Sequence, residues 1–106
     1  MAQPPKLTDE QRAKALEAAA VARRVRAEVK ERLKMGSVSL PQLLTKADTD
    51  EILAKLKVLT VLESMPGVGK VSARRLMEEL SIAESRRLKG LGDNQRAALI
   101  ERFPGT

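Results

Sequence analysis

Leu62-Glu63-Ser64-Met65-Pro66-Gly67-Val68-Gly69-Lys70-Val71-Ser72-Ala73-Arg74-Arg75-Leu76 is the stretch that decides the fold. Pro66 has no amide hydrogen and stops a helix running into it. Gly67 and Gly69 permit a tight turn and leave their amides uncovered by any Cβ. Beyond them Val71, Ala73, Leu76, Met77 and Leu80 recur at helical spacing and form the expected inward face of a second helix. Val68, between the glycines, is expected to anchor the turn in the core. Gly69-Lys70 also suggests a nucleotide-binding loop. Such a loop needs glycine where Ser64 stands, Ser or Thr where Val71 stands, and a preceding strand, so that reading fails.

Upstream, Thr8 is a good N-cap with Gln11 as its capping-box partner, and no Pro or Gly interrupts the chain from Glu10 to Lys34. Gly36 reads as the stop. A helix of this length reaches about 39 Å at ~1.5 Å per residue, more than a small head needs. Val25, Val29 and Leu33 give its C-terminal half a core-facing stripe, whereas the N-terminal half offers mainly alanine. Its first turns should therefore project and its last turns dock. Ser39, with Pro41 behind it, caps a short helix, and Asp50 caps another running to Leu56. Val58 to Leu62 reads as helix, with strand as the β-branched alternative. Ser81 to Ser85 breaks the chain, Arg86 to Lys89 makes a short helical turn, and Gly90-Leu91-Gly92 closes it. A last helix runs from Asp93 to Phe103, with Ala97, Leu99 or Ile100, and Phe103 turned inward. The fold class is all-α: an N-terminal extension and long basic helix over residues 1–36, and a small helical head with the DNA-binding element over 37–106.

Composition narrows the chemistry. The 106 residues carry 20 Lys+Arg against 14 Asp+Glu, a net charge of +6 that points to a polyanionic partner. His, Cys, Trp and Tyr are absent and Phe103 is the one aromatic residue, which removes zinc fingers, thiol and imidazole catalysis, and base-stacking platforms. The polar start Met1–Lys6 has no apolar stretch of the export type, and no run is long enough for a membrane span. A soluble, cytoplasmic protein without cofactor, metal or catalytic constellation is the expectation.

The turn with its flanks resembles the helix-hairpin-helix motif, which binds nucleic-acid backbones without reading sequence. Amides at a helix N-terminus suit a phosphate oxygen, and Lys70 adds charge beside them. Pro66, Gly67, Val68, Gly69 and Lys70 are thus one set of binding candidates; a plain helical corner is the bland alternative. Arg86, Arg87 and Lys89 form the second set, because no acid lies within that tetrapeptide. Arg74 and Arg75 face Glu78 and Glu79 at i+4, so a surface ion pair is expected there and Arg74 is a secondary candidate. Lys55, Lys57 and the helix cations Arg23, Arg24 and Arg26 are secondary too.

The sequence as a whole resembles the actinobacterial integration host factor family. The resemblance is carried by Leu7-Thr8, Glu10 to Ala13, Ala22-Arg23-Arg24, Arg26 to Glu28, Lys55 to Val58, Leu62 to Val71, and Ser85 to Gly92. It implies a nucleoid-associated protein that binds and bends double-stranded DNA, assists site-specific recombination, and organises the chromosome. It also implies a head with a helix-two-turns-helix element, whose DNA contacts fall on Pro66 to Lys70 and on Arg86, Arg87 and Lys89. Members often carry Arg where this chain has Lys89, which keeps the charge without the planar fork. A monomer in solution is expected, with a recombinase at the same DNA site as a further partner and no membrane. Two alternatives remain open: a structured-RNA or ribosome-associated binding protein, and a fragment of a repair enzyme.

Overall fold

Thr8 fixes the start of the first helix from both sides: its Oγ1 accepts from the Gln11 amide at 3.1 Å, and its own amide donates to Gln11 Oε1 at 3.0 Å. The computed structural model describes residues 8–105, so the polar start Met1–Lys6 lies outside the described residues. Helix α1 (Asp9–Met35) ends at Gly36, whose φ of 74° is the left-handed conformation that glycine tolerates best. Its 27 residues span about 40 Å. Leu33 is fully buried and Val25 and Val29 are half-buried, whereas Leu16 is 70% exposed. The helix docks by its last turns and projects by its first, as its apolar pattern requires.

The head is built from short helices. Ser39 and Gln42 cap α2 (Leu40–Ala47) reciprocally, and Asp50 Oδ1 accepts from the Ile52 and Leu53 amides to start α3 (Glu51–Ala54). Helix α3 is shorter than its sequence suggests because the chain straightens at Lys57, which pairs with Arg87 in an isolated antiparallel bridge. Val58 to Leu62 then forms helix α4 (Val58–Glu63), not a strand. Helix α5 (Lys70–Glu79) follows the Pro-Gly turn, a single 3-10 turn spans Leu88–Gly90, and α6 (Asp93–Arg102) closes the head. Every described regular element is helical, and among the described residues no helix is long and apolar enough to cross a membrane.

Leu33, Leu43, Leu62, Ala73 and Leu99, all with zero exposure, centre the core. Two apolar residues expected inside are not. Val71 is 67% exposed and Ala97 is exposed. Each precedes a fully buried residue (Ala73, Leu99) by two positions, a rotation of about 200° that puts it on the far side of its helix. The ion pairs also differ from the i+4 expectation. Arg74 pairs with Glu84 at 3.4 Å, and Glu79 reaches across to Arg102 of α6 at 2.6 Å. Glu10 and Lys14 do pair along α1, at 3.6 Å.

Arg96 of α6 grips Asp48, at the end of α2, through two hydrogen bonds of 2.8 and 2.9 Å. That guanidinium holds the Asp48 carboxyl below its ordinary value of 3.8. A carboxyl lowered on folding stabilises the fold above that ordinary value and stops doing so as pH falls through the lowered one. Arg96→Gln should therefore melt earlier than the parent at neutral pH. The gap should narrow once the pH drops below 3.8, as thermal melts across a pH series would show.

Candidate nucleic-acid interface

Met65 donates to the Leu62 carbonyl and Val68 to the Met65 carbonyl, both at 3.1 Å, so the chain reverses within the Pro66–Gly69 turn. Gly67 sits at φ 76°, where an L side chain is strained. Gly69 differs: its φ is −89°, and a Cβ built there meets nothing within 4 Å. Val68 packs half-buried against the core, which leaves Pro66, Gly67, Gly69 and Lys70 facing outward. Gly69 is the N-cap of α5, whose first turn has neither a side-chain cap nor an acidic residue. The leading amides of that helix therefore point at solvent with no group among the described residues capping them. Gly67→Val should force a β-branched residue into the left-handed region, costing about 2 kcal/mol or more. A melting curve with a Gly67→Ala control would measure it; the smaller side chain should cost less.

The second set of candidates is held by a short extended pairing. The Val58 amide donates to the Arg86 carbonyl and the Leu88 amide to the Leu56 carbonyl, each at 2.9 Å. Alternation along this pairing sends Leu56, Val58 and Leu88 into the core and leaves Lys57 and Arg87 exposed on the outside. Arg86 is not the free cation its sequence suggests. Its Nη1 donates to the Gly90 carbonyl at 2.8 Å, and a Cβ at Gly90 would come within 3.1 Å of Arg86 Cδ. Lys89 is exposed on the 3-10 turn.

A cleft of about 510 Å³ opens between α1 and this pairing, lined by Arg23, Arg26, Lys30, Lys55, Lys57 and Arg87. Ala27, Leu56 and Thr60 complete its lining, and no carboxylate enters it. Lys30 and Thr60 also line a neighbouring groove that runs past Lys34 and Glu63 to Gly69 and Lys70. The fold thus joins Arg23, Arg26, Lys57 and Arg87, and links them through α4 to the turn. It leaves two secondary candidates elsewhere: Arg74 is paired with Glu84, and Arg24 is absent from both linings. Lys30 and Lys34 were missed as candidates. Their signal was available, since residues 23, 26, 30 and 34 follow the i, i+3, i+7, i+11 spacing of one helix face.

Residues 33–103 match the S13-like H2TH domain family. The integration host factor of Mycolicibacterium smegmatis (strain ATCC 700084 / mc(2)155) is 63% identical over 99 residues, covering 93% of this chain and 94% of the relative. The chain belongs to the integration host factor family. The integration host factor of Streptomyces coelicolor (strain ATCC BAA-471 / A3(2) / M145) is 55% identical over 106 residues, covering 100% of this chain and 98% of its own. Among solved structures, that of sIHF bound to an 8bp palindromic DNA superimposes with a TM-score of 0.80 at 52% identity, covering 82% of this chain and 98% of its own. The H2TH match begins at Leu33, where α1 enters the core, so the projecting part of the integration host factor helix lies ahead of it.

Proposed function

We propose that this protein is an architectural DNA-binding protein that grips the duplex backbone through the Pro66–Lys70 turn and through Arg87 and Lys89. The observation that carries the reading is Gly69. Neither its backbone angle nor its packing requires glycine, and the missing side chain leaves room for a phosphate oxygen to approach the amides of α5. Lys70 supplies charge at the same point, and Arg87 and Lys89 stand exposed one short helix away. Arg86 acts indirectly, holding the Gly90 loop that presents Lys89.

Family membership and the DNA-bound structural relative support the rest of the reading. Residues 37–106 form the unit that holds the duplex and residues 1–36 the N-terminal unit, in which the first turns of α1 project. The protein bends and compacts DNA with little sequence preference, assists a recombinase at the same site, and works at the nucleoid as a monomer without cofactor or catalysis. Duplex RNA is disfavoured, because its deep, narrow major groove and shallow minor groove space the two backbones differently. A fluorescent duplex of about 30 base pairs, long enough to bend measurably, and its RNA counterpart test this. The DNA should bind more tightly at every salt concentration. Equal or tighter RNA binding would contradict the proposal.

A further inference from the structure

Glu63 stands apart on this face. It ends α4 and lines the groove of about 300 Å³ that runs from Lys30 and Lys34 to Gly69 and Lys70. No other carboxylate lines that groove, and none lines the cleft beyond Lys30. The fold half-buries Glu63 yet gives it no close partner. Among the described residues it joins no ion pair, although three lysines share its groove. Glu10, Asp48, Glu79 and Glu84, by contrast, each find a cation within 3.6 Å. An acid is also unfavourable at the last residue of a helix, where the backbone carbonyls already concentrate negative charge. Neither a closed ion pair nor helix capping accounts for a carboxylate at this point.

We infer that Glu63 is a brake on duplex affinity, a carboxylate set beside the strand so that the protein holds DNA less tightly than its cations allow. It rests on the proposed grip of the turn: a phosphate seated at the Gly69 amides and Lys70 lies in the groove that Glu63 lines. The strand leading away from that phosphate passes the carboxylate. Two like charges then meet where protein on one side weakens the screening by water. The repulsion exists only in the complex, so it acts on binding and not on folding. A half-buried charge of this kind shortens the life of the complex, whereas an exposed one elsewhere changes mainly the rate of encounter. Because it opposes the backbone and not a base, the effect is the same on every duplex. It lets the protein exchange between sites instead of staying on the first one it meets.

Binding kinetics of Glu63→Gln on duplex DNA test the inference. Glu101→Gln of α6, exposed and outside both linings, is the control for net charge. Glu63→Gln keeps the shape of the side chain and should bind about tenfold more tightly than that control, or ~1.4 kcal/mol. The gain should appear as slower dissociation. Its log–log salt slope should be steeper by up to about one, because one phosphate contact is no longer opposed. Cytosine-rich and cytosine-poor duplexes should show the same gain, and the melting temperature of the free protein should not fall. Glu63→Ala should gain affinity as well, so a packing defect in one variant does not decide the result. Equal affinity of the Glu63 variants and the control overturns the inference. So does weaker binding confined to cytosine-rich duplexes, which would make the carboxylate an acceptor for a base amino group. Duplex binding by the parent in either case leaves the turn reading intact, and a parent that binds no duplex overturns both.

Discussion

Gly69→Asp should leave the fold intact, with stability unchanged or higher by about 0.5 kcal/mol, while duplex affinity drops at least about thirtyfold. The two effects have separate causes. Aspartate is a better N-cap than glycine, and α5 begins without an acid or a side-chain cap, so a carboxylate at position 69 satisfies amides that now face solvent. The conformation does not resist, since φ is −89° and nothing lies within 4 Å of the new Cβ. The same carboxylate occupies the place assigned to a phosphate and repels whatever phosphate remains. Losing one charge-assisted hydrogen bond alone costs about 1.5–3 kcal/mol. A thermal melt and a binding titration on one preparation give both readings. Weaker binding with an unfolded protein would say nothing special about the amides, but weaker binding with a raised melting point would.

Arg87→Glu with Lys89→Glu should weaken duplex binding by about 100-fold or more, from two phosphate contacts of ~1.5–3 kcal/mol each. Both side chains are exposed, and Leu88 between them anchors the turn in the core, so the circular-dichroism spectrum should not change. Arg86 is a poorer choice for this experiment. Its substitution also removes the hydrogen bond to the Gly90 carbonyl, so a loss of binding would mix a lost charge with a rearranged loop. Retained binding by the folded double variant would move the duplex contact to α1.

Where a residue constrains its own backbone, the sequence is a reliable guide. Pro66, Gly67 and Gly36 mark the turn and the end of α1, and Thr8, Ser39 and Asp50 mark helix starts, because capping and turn chemistry act over three or four residues. Faces were less legible. Val71 and Ala97 were counted with the inward residues for being apolar, although each lies two positions, and so about 200°, from a core residue. Arg86 looked unpaired because its partner is a backbone carbonyl, which leaves no acidic residue to notice. The cleft was the least legible feature. Half of its cations come from one face of α1, but Lys55, Lys57 and Arg87 reach it only through a bridge between segments thirty residues apart.

The most direct measurement is the affinity for a random-sequence DNA duplex across a series of salt concentrations. About five or six phosphate contacts should give a log–log slope near −5. The slope should lie nearer zero by about two in Arg87→Glu with Lys89→Glu. A slope near zero for the parent, or one that the double variant leaves unchanged, would contradict backbone gripping by these residues.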